Sequence, residues 1–519
     1  MIKNDVSNIN SQCQVVFFNW NTPILINNLT DSDLMASTPL DISKYLLNMS
    51  FSKNLGDPAG TFSISLPNDR DWKQVLHPGT WGIVYMSQDD ALAIPSGTDL
   101  PSMTALALQQ DKIRGIIYID RVAAAGRVGE ERGEYDAEFV VSGRDFGVVY
   151  VENEIFYNRL LYEGKIQEAA AGQLRVSGTR NTSALLTTLH RVFFAPDLLG
   201  INLQGGANLQ KDIPLQWMLP MNLFTALGIT PRNGTSYFGA IPENQLLNFS
   251  PTLCNFPVDN PMTQINGKAW DRLKSFSIEP FHELFTETSD QGLPQLNFRY
   301  IPWRTSDGSS LGKLKPFIPS MATQVAQVPI DSIDILDFDL GEENHNRFNY
   351  FFTTIDTSLY SANDTMANLA DNDPTTGFPR IQANSIKRNG LRLMYTTVNA
   401  LIQLGSGKPS EEADPDLLRL HNELMLEYWN NAVFFESGSM TIIGRNDVKL
   451  GKVLSVASGV PYNGGKVFYI EGYTDHFSVD DKGAGFWTQS LNLTRGFYPG
   501  DIGTRGEDYV DNGEFTEFK

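Results

Sequence analysis

At 519 residues the chain is too long for one hydrophobic core, so about three or four domains are expected. It carries 60 acidic against 40 basic residues, a formal net charge of −20, and a surface this negative repels phosphate and argues against high-affinity nucleic-acid binding. The 41% hydrophobic content excludes bulk disorder, two distant cysteines (Cys13 and Cys254) make no disulfide framework, and no run reaches the roughly 18 to 20 apolar residues of a membrane helix.

The N-terminal stretch MIKNDVSNINSQCQ lacks the apolar core of a signal peptide, so synthesis in a reducing cytosol is expected. Residues 1–150 read as strands. In TFSISLP, Phe62, Ile64 and Leu66 alternate with Thr61, Ser63 and Ser65, the period of a half-buried strand. WGIVYMS follows the Pro78-Gly79 break, and KIRGIIYIDRV and GEYDAEFVVSGRDFG flank a Gly-bearing connection long enough for a hairpin. Tyr135, Ala137, Phe139 and Val141 share one face, opposite Glu134, Asp136 and Glu138. This texture predicts an antiparallel barrel or sandwich. Residues 151–320 read as a mixed, mainly helical insert, with NRLLYEGKIQEAAAGQL and TSALLTTLHRVFF as helices. Strand texture returns at VPIDSIDILDFDL, and 321–345 with 432–498 form a second barrel around a helical insertion at 346–431. The last helix of that insertion has Asp414 as cap, Pro415 at its first position and Leu417, Leu420, Leu424 and Tyr428 on one face. In the closing strands Val448, Leu450, Leu454 and Val456 share a face, as do Trp487, Leu491 and Leu493. Residues 499–519 form an acidic tail, six acids against Arg505 and Lys519, either mobile or strapped to a neighbour.

No catalytic, metal-binding or cofactor-binding residues are assigned. The six histidines make no metal signature, and His282-Glu283 lacks a second histidine. His421 lies next to an apolar helix face and reads as packing. Asp371-Asn372-Asp373 starts like a calcium loop but has Thr376 where glycine is needed. LGSGKPS has Pro409 after Lys408 and Ile402 at the earlier glycine position, so it is no phosphate loop, and GRVGEERGE does not fit a dinucleotide fingerprint. Asp331, Asp334, Asp337 and Asp339 read more simply as a solvated strand edge than as a cation site. The chain is expected to be non-enzymatic.

Spaced islands of the chain resemble the central baseplate hub proteins of contractile-tailed phages, the family that includes the hub of T-even phages and the hub half of type VI secretion spikes. The islands are SFSKNLGDPAGTFSISLPN, RGIIYIDRV with EFVVSGRDFG (Ser142 to Asp145), the segment leading to Arg299, Pro302 and Trp303, NGLRLMY, with Asn389 where the family has Tyr, and the closing strands from FFESGSMTIIG to FWTQSLNLTRG. They span most of residues 45–497, with the weakest match at 151–250.

The resemblance implies two related β-barrels per chain and a homotrimer forming a ring of six barrels. Such a ring offers pseudo-sixfold symmetry to a hexameric tail tube and threefold symmetry to a trimeric spike, among other baseplate proteins of the virion. DNA would pass through it without sequence-specific binding, and no stable membrane insertion is implied. The net charge further predicts an acidic inner wall that repels DNA; a wall of Lys and Arg would contradict it. Besides a carbohydrate-binding adsorption module, two alternatives stand beside this reading. One is the hub of a related contractile injection or type VI system. The other is a hub with an embedded peptidoglycan-degrading domain in 151–320, with Glu152, Glu154, Glu163 and Glu168 as candidate acids.

Overall fold

The computed structural model describes residues 11–20, 37–88, 101–128, 135–152, 220–229, 282–300, 327–342, 436–457, 465–480 and 482–497, with shorter pieces between them. The chain is mainly antiparallel β-structure with a few short helices. The first block supplies β1 (Ser11–Trp20), β2 (Ser37–Asp41), β3 (Asn48–Asn54), β4 (Thr61–Pro67), β5 (Trp81–Gln88), β6 (Ile113–Val128) and β7 (Tyr135–Asp145). A hairpin of β8 (His282–Thr288) and β9 (Pro294–Tyr300) follows. The second block supplies β10 (Gln327–Ile330), β11 (Ile335–Glu342), β12 (Glu436–Ile443), β13 (Val453–Val456), β14 (Lys466–Val479) and β15 (Gly485–Phe497).

The two blocks lie in one 13-stranded sheet of order β11-β12-β15-β14-β3-β4-β7-β6-β5-β1-β2, with β13 pairing β14 and β10 pairing β13. They meet where β14 pairs antiparallel with β3, from Gly472 opposite Asn54 to Ser478 opposite Asn48. The sheet also curls until the start of β1 reaches the start of β15, where the Trp487 amide donates to Ser11 Oγ at 3.1 Å. Both blocks therefore fill one hydrophobic cluster, with Phe17, Phe51, Ile64 and Ile117 from the first and Met440, Phe468, Leu491 and Trp487 from the second.

Side-chain alternation sets the two faces. Phe62, Ile64 and Leu66 of β4 are buried as their period predicts, and so are Trp487, Leu491 and Leu493 of β15. Val448, Leu450, Leu454 and Val456 are all buried too, but only Leu454 and Val456 stand on a strand. Val448 and Leu450 precede Gly451, whose φ of +68° makes the turn. β5 is buried on both faces: Val84 and Met86 join the shared cluster, while Tyr85 turns the other way towards the helix Met221–Ala226, its hydroxyl 3.5 Å from the Ala226 carbonyl. That explains the unbroken apolar run WGIVYM.

The opposite face carries small polar residues in rows that run across strands. Thr441, Ser490, Thr474, Ser52 and Thr61 stand side by side from β12 to β4, with Asp337 before them on β11 and Arg144 after them on β7. A second row runs Ile443, Thr488, His476, Ser50, Ser63 and Ser142. A third runs Ser439, Asn492, Gly472 and Asn54, with Asp339 beside it. Neighbouring hydroxyls bond to one another: Thr474 Oγ1 donates to Ser52 Oγ at 3.0 Å, and Thr441 Oγ1 lies 3.3 Å from Ser490 Oγ.

In the 151–320 region the described residues hold the helices Met221–Ala226 and Ala269–Lys274 and several strands, of which β8 and β9 are the longest. The two helices read there from sequence lie outside the described residues, as does the helix starting at Pro415. Of the acidic tail, Thr516–Glu517 are described, paired antiparallel with Arg380–Ile381.

Gly143 of β7 sits where a Cβ would press into the Tyr118 carbonyl and the Phe62 ring. Gly143→Ala is expected to lose about 1–3 kcal/mol of stability, read as a lower urea midpoint with an unchanged slope.

Candidate functional site: a buried joint between the blocks

The strands that meet at the β3–β14 seam carry charges on their inward faces. In β14, Asp475 lies between Tyr473 and Phe477 at inward positions, and in β3 Lys53 follows Met49 and Phe51. A charge is stable there only when paired and hydrogen-bonded. Arg114, at the start of β6, crosses from the first block to the second. Its Nε donates to Asp475 Oδ2 at 2.6 Å and its Nη1 to the Val448 carbonyl at 2.6 Å. Its Nη2 has no hydrogen-bond partner among the described residues, and the guanidinium carbon lies 3.9 Å from the centre of the Tyr473 ring, a cation–π contact. The other Asp475 oxygen, Oδ1, accepts from Trp487 Nε1 at 2.9 Å and Gln489 Nε2 at 2.8 Å. Burial opposes the Arg114 charge, but Asp475, Tyr473 and Glu287 outweigh it and push its pKa up.

Lys53 forms an ion pair with Asp145 at the end of β7, and its ammonium lies 4.8 Å from the Phe146 ring centre. Burial raises the Asp145 pKa; Lys53 and the Gly147 amide, 2.9 Å away, pull against it. The β8–β9 hairpin fastens to the second block with two further carboxylates. Glu287 Oε2 accepts from the Leu450 amide at 3.0 Å and Oε1 from the Tyr473 hydroxyl at 3.3 Å. Glu283 pairs with Arg299 and accepts from the Tyr469 hydroxyl at 2.7 Å, while Arg299 Nη2 also reaches the Gly451 carbonyl at 2.5 Å. Burial pushes the Tyr469 and Tyr473 hydroxyls well up, so both stay protonated donors. Asn446 Nδ2 adds a bond from the second block to the Met86 carbonyl of β5, at 2.6 Å.

The arrangement clamps; its charged groups face one another inside the protein. Of the residues weighed from sequence, Glu283 is bound into this joint and His282 stands opposite Tyr300 on the hairpin. Glu152 pairs with Arg144, which also grips Asp120 with two bonds of 2.6 and 2.7 Å. Glu154 stands on a two-residue strand opposite Lys268, and Glu163, Glu168, His421, Asp371, Asp373 and Lys408 lie outside the described residues. Asp337 and Asp339 line the edge strand β11, while Asp334 lies 3.9 Å from Arg445. Among the described residues no three His, Cys, Asp or Glu side chains gather as a metal site, and no helix is long and apolar enough to cross a membrane. Cys13 is buried, its thiol 3.7 Å from Met49 Sδ and its pKa pushed up by burial. Arg114, Asp475 and Lys53 were missed from sequence. The available signal was a charge at the apolar parity of a strand.

Arg114→Met leaves Asp475 as an unpaired buried carboxylate and is expected to cost about 3–5 kcal/mol in denaturant unfolding. Adding Asp475→Asn removes that charge, and the double variant should lose less than the two single losses added together. Lys449 donates to the Ser289 carbonyl at 2.6 Å, and burial lowers its pKa to about 8 against the pull of Glu287 and Asp290. Above that pH the unfolded chain holds a proton that the folded chain has lost, so this group's contribution to stability rises between about pH 8 and 10. Wild type should therefore gain stability over Lys449→Met across that window, measured by urea melts at both ends.

No family model and no curated protein matches the chain. Among solved structures it is similar to the tail protein from Neisseria meningitidis MC58, at 12% identity and a TM-score of 0.42 over 94% of this chain and 96% of that one. It is also similar to the 43 kDa tail protein of prophage MuSo2 from Shewanella oneidensis, at 11% identity and a TM-score of 0.41 over 93% and 98%. A third similarity is to the Francisella PdpA–VgrG complex in its half-lidded form, at 7% identity and a TM-score of 0.37 over 99% of this chain and 61% of that one.

Proposed function

We propose that the chain is a structural, non-enzymatic hub of a contractile phage tail, acting as a homotrimer in the baseplate. Each chain supplies two strand-built, barrel-type units, so that three chains make a ring of six. The ring joins a hexameric tail tube to a trimeric spike and surrounds the path of the DNA. The observation that carries this reading is the joint itself. The two blocks share a strand ladder whose partners stand more than 400 positions apart in sequence, and a buried Arg114–Asp475 pair, so one chain presents two units in a fixed relation. A ring of linked pairs needs that fixed relation, because a hinge between the units would let the ring deform under the load of tail contraction.

Native mass tests the reading. Light scattering or mass photometry across concentration and salt is expected to give three times the chain mass of 57.8 kDa. A chain that stays monomeric, alone and when mixed with its spike, overturns it.

A further inference from the structure

The two blocks repeat one pairing scheme. β3 pairs β4, β4 pairs β7, β7 pairs β6 and β6 pairs β5. In the same order β11 pairs β12, β12 pairs β15, β15 pairs β14 and β14 pairs β13. The match reaches single hydrogen bonds. Before β5, Gly79 has a φ of +90° and its amide donates to the Ile119 carbonyl at 2.8 Å; before β13, Gly451 has a φ of +68° and its amide donates to the Ile470 carbonyl at 3.0 Å. The Ile119 amide donates back to the Thr80 carbonyl, as the Ile470 amide does to that of Lys452. One residue later each long strand has a bulge at an acidic residue, Asp120 in β6 and Glu471 in β14. β1 and β10 depart from the scheme, since β1 is antiparallel to β5 and β10 parallel to β13.

Beyond its bulge, β14 leaves β13 and pairs with β3. Beyond its own bulge, β6 has left β5, whose ladder reaches only Tyr118, and its far half pairs with β7 alone among the described strands. Arg121, Ala124, Ala125 and Gly126 are exposed on that half. β11, the counterpart of β3, stands at the end of the sheet, with Asp337 and Asp339 exposed and Phe338 43% exposed.

We infer that β11 of one chain pairs antiparallel with the far half of β6 in a second copy, repeating between chains the ladder that β3 and β14 form within one. The inference rests on the hub reading for the assembly of copies, and it names the edges by which they meet. The internal ladder sets the register. Counted from the bulges, Ala124 takes the place of Asp475 and Arg127 that of Ser478. Across the sheet, Leu340 takes the place of Phe51 and Asp337 that of Asn48. The internal pairs Phe51–Asp475 and Asn48–Ser478 therefore become Leu340–Ala124 and Asp337–Arg127 between copies. One is apolar on both sides, and the other sets an acid opposite a base. Two β11 edges laid together would instead bring Asp337 and Asp339 against their own kind, which disfavours like-to-like pairing. A contact between two different edges passes head to tail from copy to copy until a ring closes.

The test uses the full chain in a Cys254→Ser background, where Cys13 is buried, carrying Ala124→Cys and Leu340→Cys. Opposed residues of an antiparallel ladder have Cα atoms about 4.5–5.5 Å apart, within disulfide reach. Oxidation with copper phenanthroline is expected to convert most of the chain into covalent oligomers of up to three chains on a non-reducing gel. Ala123→Cys/Leu340→Cys, one residue out of register, and each single variant should remain mostly unlinked. Native mass is measured on every variant before oxidation. Where the first pair loses its native mass, Gly126→Cys/Phe338→Cys tests the same register. A trimer in which neither pair links overturns the edge pairing and leaves the hub reading standing. Links in Leu340→Cys alone mean that like edges meet, which also overturns it. Linked particles of another size support the pairing and sink the trimeric hub. A chain that stays monomeric, alone and with its spike, overturns both.

Discussion

The structure depends on the ladder between β3 and β14. It places residues 48–54 beside residues 472–478 and makes a single hydrophobic cluster from two blocks. Everything buried at the joint is arranged around that pairing. Asp475 reaches Arg114 because β14 lies against β3 rather than at the border of its own block. Tyr473 stacks under the guanidinium and packs near Phe51, with 6.2 Å between ring centres. Backbone ladders are short-ranged and directional, while buried ion pairs contribute little net stability but are severely damaged when one partner goes. Together they make the joint intolerant of partial opening, which suits a part that must hold its shape.

The same strands show an unusual division of polarity. Their inward faces hold Lys53, Asp145, Arg114 and Asp475, while on their outward faces β3, β4 and β14 hold mostly Ser, Thr and Asn with His476, and β6 and β7 carry the exposed Asp120–Arg144 pair. Charge normally sits outside because hydration is cheap there. Here the internal charges are bound to one another, and the Arg114–Asp475 pair holds the blocks in register.

Much of the strand content was legible in the sequence because period-2 alternation is a local signal: TFSISLP and FWTQSLNL each announce which face is buried. The pairing partners were not legible. The β3–β14 ladder joins segments over 400 positions apart, and nothing in NMSFSKN specifies YTDHFS as its neighbour. The shared cluster followed from that pairing, so the two blocks read as separate barrel units while the described strands lie in one sheet. Val448 and Leu450 show a second limit. Their spacing reads as a strand, yet both are buried in the shared cluster from the turn before Gly451, where the Leu450 amide donates to Glu287 of the β8–β9 hairpin. The joint left only a faint trace, a lysine or aspartate at the apolar parity of a strand, and such a residue read alone does not reveal its partner.

The seam has a consequence for how the protein is made. Thr474 meets Ser52 across 422 positions of chain. At about 5–20 residues per second of synthesis, β3 waits on the order of 20–80 s before its partner strand exists. During that time it is an open strand edge, the kind of template on which chains aggregate. The strand carries its own protection. Lys53 points to the apolar side, and an inward charge makes pairing with a stray strand costly. Asp145 is made only 92 positions after Lys53, well before β14, so the Lys53–Asp145 pair already stands at that open edge when the second block arrives.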